Sequence, residues 1–148
     1  MKDADFLYIS IPYVDGVDQE EPEIFRPLIQ SVKQEIPILC VNPDRFAMEG
    51  SPPRPVVRQG SIAQMFVEQQ ADVYLVGKPS RIIYEAALKY FPIDISKEKI
   101  LMIGDTPETD IRGAHGAGMD AALITKTGVM AYLLEKKGEA IIVHQLPL

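Results

Sequence analysis

Short apolar runs alternate along the chain with segments whose apolar residues recur at helical spacing. Runs rich in β-forming residues predict strands, and apolar positions at i, i+3 and i+4 predict amphipathic helices. The predicted strands are 6–11, 37–41, 73–76, 100–103, 120–124 and 140–143, and the predicted helices are 23–35, 62–70, 79–90, 109–117 and 128–137. Strands that alternate with helices indicate an α/β fold with right-handed crossovers.

Several segments carry more specific expectations. Residues 100–103 are apolar without alternation, which predicts a strand covered by helices on both faces. The acidic segment 13–22 predicts a loop, and the proline-rich segment 49–59 predicts an extended loop or an edge ribbon. Asn42-Pro43-Asp44 predicts a turn, and Ser61 is expected to cap the N-terminus of the following helix.

The composition excludes several classes of function. The 148 residues, 47% hydrophobic and 24% charged, are enough for one domain or a domain with a small lobe. The net charge of −6 argues against nucleic acid as a partner, because a phosphate backbone requires a basic face. No segment approaches the roughly 20 apolar residues of a membrane helix, and no signal peptide is recognisable at the N-terminus. The single cysteine, Cys40, lies in an apolar run and fits a reducing compartment, so a cytoplasmic location is expected.

The candidate chemistry lies where two predicted strands end. Asp105 follows the run 100–104, and a second acid, Asp110, comes five residues later at the start of a predicted helix. Lys78 follows the strand at 73–76. Because ligands of open α/β sheets bind beyond the carboxyl ends of the strands, we expect these side chains to share a site. Carboxylates suit Mg²⁺, and the lysine suits a phosphoryl group, so the pattern favours phosphoryl transfer.

Each signal also has an ordinary structural explanation. An aspartate after a strand is often only the N-cap of the next helix. A Gly-Lys-Pro sequence is common where a strand ends and a helix begins. The order of the two signals, with one helix and one strand between residues 77–79 and 104–119, is what favours function.

In that order the chain resembles the haloacid dehalogenase superfamily of phosphatases. Residues 77–79 resemble its third motif, a lysine before a helix, and Asp105 with Thr109-Asp110 resembles its fourth. The segments VNPD (41–44) and RQGSIA (58–63) are similar to the class with an α/β cap between the second and third motifs, which includes nitrophenylphosphatase-like and nucleotide- or sugar-phosphate phosphatases. The resemblance covers residues 4–128 and implies a partial Rossmann-like three-layer core with part of a cap.

The resemblance also implies roles for individual residues. Lys78 would be the catalytic lysine, and Asp105 and Asp110 would bind Mg²⁺, the second of them directly or through water. Asn42 and Asp44, in the turn of the cap, would face the substrate, a small phosphorylated metabolite. This last transfer is the weakest, because a turn of these residues needs no function to explain it.

The first family motif, a strand followed by Asp-x-Asp-Gly, has no good counterpart. Asp3-Ala4-Asp5 has the spacing without a preceding strand, and Asp15-Gly16-Val17 matches the motif's end but has Tyr13 at the position of the nucleophile. A tyrosine is mostly protonated at neutral pH and too bulky to replace that carboxylate. One interpretation is therefore a capless core with degenerate first and second motifs, the latter at residues 38–42.

The favoured interpretation assigns residues 1–76 to the cap and its return segment and residues 77–148 to the C-terminal half of the core. Both interpretations predict an impaired phosphatase when the chain is isolated, because the attacking group is missing. The alternative function is a non-catalytic partner that associates with itself or another chain through an unpaired sheet edge. A truncated gene product is the third hypothesis.

Overall fold

The computed structural model describes residues 4–92 and 94–137. Its strands are β1 (Leu7–Tyr8), β2 (Tyr13–Val14), β3 (Val17–Asp18), β4 (Ile38–Cys40), β5 (Phe46–Glu49), β6 (Arg54–Val57), β7 (Val73–Leu75), β8 (Leu101–Gly104) and β9 (Asp120–Leu123). Its α-helices are α1 (Arg26–Gln30), α2 (Gln59–Glu68), α3 (Arg81–Leu88), α4 (Arg112–Gly116) and α5 (Gly128–Lys137). Single helical turns of 3₁₀ type cover Pro22–Phe25 and Lys97–Lys99, and a π-helix at Pro107–Ile111 leads into α4. The predicted α/β fold is confirmed.

The strands form two parallel arrays. The first is a three-stranded sheet in the order β1-β4-β7, and the second is the pair β8-β9, in which Leu101 lies opposite Asp120. Two antiparallel hairpins, β2-β3 and β5-β6, complete the described strands. The last predicted strand, 140–143, lies outside the described residues.

Each parallel array has its own hydrophobic core. The core beside the first sheet is formed by buried residues of β4, β6 and α2, together with two isoleucines from other parts of the chain. Its members are Ile9, Ile29, Ile38, Cys40, Val57, Ile62, Ala63, Met65 and Phe66. The core beside the second consists of Tyr84, Ala114, Ala117 and Met119. Cys40 is fully buried, as expected, and burial raises the pKa of its thiol. In the sequence, the residues of the first core all precede residue 76 and those of the second core all follow it. The division of the chain into a cap portion and half of a core stays a prediction.

Local side-chain contacts changed several predicted boundaries. The helix predicted for 23–35 ends at Gln30, where the Ser31 hydroxyl donates to the Leu28 carbonyl and competes with helical bonding. Helix α2 begins at Gln59, and Ser61 does not cap it, because its hydroxyl donates to the Arg45 carbonyl at 2.6 Å. The predicted ribbon in 49–59 is confirmed as β6, paired with β5.

The predicted loop 13–22 was wrong in its first half, which is the hairpin β2-β3. Asp15 and Gly16 have φ of +51° and +78°. Two successive residues with positive φ form the tight turn whose twist suits a hairpin, and Asp-Gly is a favoured sequence for it. The resemblance of this dipeptide to the end of a catalytic motif therefore has a purely structural explanation.

The expectation that helices cover both faces of the strand at residues 100–103 was also wrong. The strand exists as β8, but Leu101 and Ile103 are 55% and 60% exposed while Met102 is partly covered. Within 4–92 and 94–137, β9 is the only strand paired with β8, and only one face of β8 is packed. A continuous apolar run indicates that both faces of the strand are suited to burial. Among the described residues, only one face of β8 is packed against other side chains.

No helix in residues 4–92 and 94–137 is long and apolar enough to cross a lipid bilayer.

Candidate active site

Lys78 is positioned by the end of β7 and by the glycine before it. A Cβ on Gly77 would lie 2.1 Å from the Val41 carbonyl oxygen, so only glycine lets the backbone pass this close to the segment after β4. From this position the Lys78 ammonium donates to Asp110 Oδ1 at 2.6 Å and lies 3.2 Å from Asp44 Oδ2. Lys78, Asp44 and Asp110, which were predicted as site residues from different segments of the sequence, therefore form one cluster.

The Asp110 carboxylate connects the lysine to the end of β8. Its side chain is 4% exposed, and its Oδ2 accepts the backbone N–H groups of Asp105 and Thr106, both at 3.0 Å. A Cβ on Gly104 would lie 2.3 Å from the Asp110 Cγ, so the strand must end in glycine for this carboxylate to fit. Asp110 thus satisfies two backbone N–H groups that lie between β8 and the π-helix at Pro107–Ile111.

Asp105 lies beside this cluster with its carboxylate held from α5. Its Oδ2 accepts the Val129 N–H at 2.7 Å, and its Oδ1 accepts the Thr106 hydroxyl at 3.3 Å. Gly128 has a φ of +74°, and a Cβ there would lie 2.0 Å from Asp105 Oδ2. Glycine is therefore required for the backbone to approach the carboxylate. Oδ1 is the less strongly bonded of the two oxygens.

The turn at 42–44 meets the same cluster through Asp44 only. Asp44 Oδ1 accepts the Thr109 hydroxyl at 2.6 Å, in addition to the contact of Oδ2 with Lys78. Asn42 uses its side chain locally, since its Oδ1 accepts the Asp44 N–H and its amide donates to Gln59. The predicted turn is confirmed, and the substrate contacts of Asn42 and Asp44 stay predictions.

The charge of Lys78 is set by two opposing effects. Burial by itself would lower the pKa of the ammonium group. The hydrogen bond that Lys78 donates to Asp110 and the negative charges of Asp44 and Asp110 outweigh burial, so the net shift of the Lys78 pKa is upward. Lys78 therefore carries its positive charge at neutral pH.

Two residues of the site have roles that the sequence analysis missed. Tyr84 is buried in the second core, and its hydroxyl donates to the carbonyls of Thr109 and Asp110 at 3.3 and 3.2 Å. Burial, and then the negative charge of Asp110, raises the Tyr84 pKa, which keeps the hydroxyl a donor. Thr109 was noticed as half of the Thr-Asp pair, but nothing in the sequence indicated that it would bond to Asp44, 65 residues away.

The donor set fits a weakly coordinated Mg²⁺. Within residues 4–92 and 94–137, no group of three or more acidic, histidine or cysteine side chains could hold a metal by itself. Mg²⁺ commonly needs only one or two carboxylates, with waters and phosphate oxygens as the remaining ligands. Asp105 Oδ1 has the capacity to serve as such a ligand, whereas the oxygens of Asp110 are already bonded to N–H groups and to Lys78.

Comparison with known proteins identifies the family. Residues 75–146 match the model of the HAD-hydrolase-like family, and this range contains Lys78, Asp105 and Asp110. The solved hydrolase of the haloacid dehalogenase-like family from Brucella suis 1330 is 33% identical, with a TM-score of 0.71 over 86% of this chain and 49% of that one. Over residues 75–146, just under half of its length, the chain belongs to the haloacid dehalogenase-like hydrolase family. The family predicted from the sequence is thereby confirmed.

Curated relatives of this haloacid dehalogenase-like chain are named as phosphatases. It is 40% identical over 70 residues to the 5′-nucleotidase YutF of Bacillus subtilis. The aligned segment covers 45% of this chain and 27% of that protein. It is 31% identical over 88 residues to the dihydroxyacetone phosphatase of Corynebacterium glutamicum. The aligned segment covers 58% of this chain and 30% of that protein. The chain thus matches less than a third of each curated relative and about half of the solved one.

Proposed function

We propose that this chain carries the lysine and metal side of a phosphate-monoester hydrolase site. The observation that carries the proposal is the contact between Lys78 and Asp110, with Asp105 directly beside it at the end of β8. The charged Lys78 is held by the buried carboxylate of Asp110, and the Asp105 carboxylate lies beside them. Such a group can bind a phosphoryl group and a cation together.

In this proposal each of the three residues has a distinct task. The Lys78 ammonium neutralises charge on the phosphoryl oxygens, and Asp105 Oδ1 is the ligand that would hold Mg²⁺. When bound, the metal supplies charge neutralisation at the phosphate. Asp110 is the second acid of the predicted metal site and acts there through water, because its own oxygens hold Lys78 and the N–H groups at the end of β8.

The proposed substrate is a small phosphorylated metabolite, the class to which the names of the two curated relatives point. The residues that resemble the first family motif lack its attacking carboxylate, since Tyr13 stands in its place. We therefore propose that the isolated chain binds phosphate but is catalytically impaired. A cytoplasmic location and the absence of a nucleic-acid partner stay predictions.

Binding of orthophosphate in the presence of Mg²⁺ tests this function without requiring turnover. We expect calorimetry to show Mg²⁺-dependent binding that weakens at least about tenfold in Lys78→Ala and in Asp105→Asn, because each loses one charge-assisted contact. Glu85→Gln is the matched control, since it removes a carboxylate from an exposed ion pair with Arg81. Equal affinity in all four proteins, or binding that ignores Mg²⁺, would refute the proposed site.

A second function, assembly with another polypeptide, is favoured by the exposed face of β8. Leu101 and Ile103 present apolar side chains there, and β8 has an unpaired edge among the described strands. Such an edge accepts a further strand. The Brucella hydrolase chain is about twice as long as the part matched here. We propose that the partner is a polypeptide equivalent to the part of the Brucella hydrolase that this chain does not match. That polypeptide would add a parallel strand beside β8.

Co-expression with the unmatched part of the Brucella hydrolase tests assembly. We expect a stable 1:1 complex, and we expect Ile103→Lys to weaken its formation at least tenfold, because a charge would be buried in an apolar contact. Tyr90→Lys is the control, since Tyr90 is 92% exposed and is not part of β8. Sedimentation that shows only free chains, or equal losses in both variants, would contradict this proposal.

A further inference from the structure

The Lys78 ammonium is held by two carboxylates from distant parts of the chain. Asp110 comes from the segment after β8, in the same half of the sequence as the lysine. Asp44 comes from the turn before β5, and its Oδ2 lies 3.2 Å from the Lys78 Nζ. The second contact is not required by the two motifs that contain Lys78 and Asp110, so it needs its own explanation.

Asp44 is itself fixed from both sides. Its backbone N–H donates to Asn42 Oδ1 at 3.2 Å, and its carbonyl accepts the Gly60 N–H at 3.0 Å. Gly60 packs so closely that a Cβ there would lie 1.9 Å from the Pro43 carbonyl oxygen. On the other side, the Thr109 hydroxyl donates to Asp44 Oδ1 at 2.6 Å. The carboxylate therefore has a defined place that does not depend on Lys78.

A direct contact of Asp44 with substrate agrees poorly with these bonds. Both of its oxygens already have partners, Thr109 and Lys78. A carboxylate also repels a phosphate dianion, and the repulsion grows as water is excluded. A role through the lysine avoids both problems.

The geometry of a lysine explains what such a role would be. An ammonium group has three N–H donors on a flexible stem with considerable rotamer entropy. The Lys78 Nζ donates to Asp110 Oδ1 and lies 3.2 Å from Asp44 Oδ2, so a donor turned to each carboxylate leaves the third donor with a defined direction. We propose that Asp44 is a positioning residue, which aims the third donor of Lys78 at the phosphoryl group. This inference rests on the proposed function of Lys78.

The test follows the Lys78 ammonium by NMR in the full ¹⁵N-labelled chain, with its signal assigned from its loss in Lys78→Met. Asp44→Asn is the decisive variant, because its amide either faces the ammonium with its NH₂ group, donor against donor, or turns a neutral oxygen to the ammonium in place of a carboxylate. We expect the ammonium signal to broaden or disappear in Asp44→Asn with the backbone amide spectrum retained. Glu85→Gln, the exposed control, should leave the signal unchanged.

Phosphate affinity gives a second result whose direction is informative. Removing a negative charge near the site should tighten anion binding if Asp44 acts only through its charge. Loss of positioning should instead weaken Mg²⁺-dependent orthophosphate binding, by about tenfold. Tighter binding in Asp44→Asn, or an ammonium signal identical to that of the unmodified chain, would overturn the proposal.

The two proposals can fail separately. If the unmodified chain binds no orthophosphate, the proposed function fails, and the ammonium signal alone decides whether Asp44 fixes Lys78. If Asp44→Asn does not fold, Thr109→Val provides the second variant, because it releases Asp44 from the far side while leaving its charge in place. Thr109→Val should then broaden the Lys78 signal, and an unchanged signal would contradict the inference.

Discussion

Replacing Asp110 by asparagine is expected to lower the free energy of unfolding by about 3 kcal/mol, the range found when one partner of a buried ion pair is lost. The carboxylate accepts two backbone N–H groups on Oδ2 and the Lys78 ammonium on Oδ1. An asparagine can be placed in two orientations. One directs its NH₂ group at the N–H donors and the other at the ammonium, so either orientation leaves buried donors without an acceptor.

Urea unfolding followed by circular dichroism measures this effect. A loss of about 3 kcal/mol is a large part of the 5–15 kcal/mol that usually stabilises a domain. Glu85→Gln makes the same chemical change in an exposed pair with Arg81, and it should cost less than about 1 kcal/mol. If both variants lost the same small amount, Asp110 would not be the anchor of the site.

Hydrolysis of p-nitrophenyl phosphate by the isolated chain is expected to stay at the uncatalysed level. Lys78 and Asp105 can stabilise charge, but the sequence offers no carboxylate in the position of the family's nucleophile. Removal of a nucleophile that acts with other catalytic groups has lowered turnover by about 10⁶ in a well-studied enzyme, which illustrates the expected deficit.

Release of p-nitrophenolate with and without Mg²⁺ measures this prediction, and Asp105→Asn is its control. We expect no difference between the variant and the unmodified chain. Mg²⁺-dependent turnover that disappears in Asp105→Asn would show that a nucleophile is present and was misplaced, and Asp15 would be the first residue to replace.

The sequence was informative about the site because phosphoryl-transfer chemistry restricts residue types and spacing. Lys78, Asp105 and Asp110 were chosen from the ends of predicted strands, and the structure places all three together. The division of labour among them could not be predicted. Asp110 was assigned to metal from its place after the strand and from the family resemblance, and only its hydrogen bonds reveal a carboxylate that bonds Lys78 and the backbone after Gly104.

Errors in the predicted elements have local and long-range causes. The β2-β3 hairpin was missed although Asp15-Gly16 is a hairpin signal, because the acidic composition of residues 13–22 was interpreted as that of a loop. Ser61 was expected to cap α2, but its hydroxyl bonds to the Arg45 carbonyl instead. The first error could be avoided from sequence, and the second could not, since residue 45 approaches only after the chain folds.

The sequence by itself determined the alternation of strands and helices, the family and the residues that carry charge at the strand ends. The alternation and the strand ends follow from periodicity and spacing, which are properties of neighbouring residues, and the family follows from the resemblance of residues 77–79 and 104–110 to its motifs. Only the tertiary structure decided that Asp44 and Thr109 meet beside Lys78, and that one face of β8 is exposed. Contacts between residues 44 and 109 depend on how two separately formed cores pack, and no local pattern of residues encodes that arrangement.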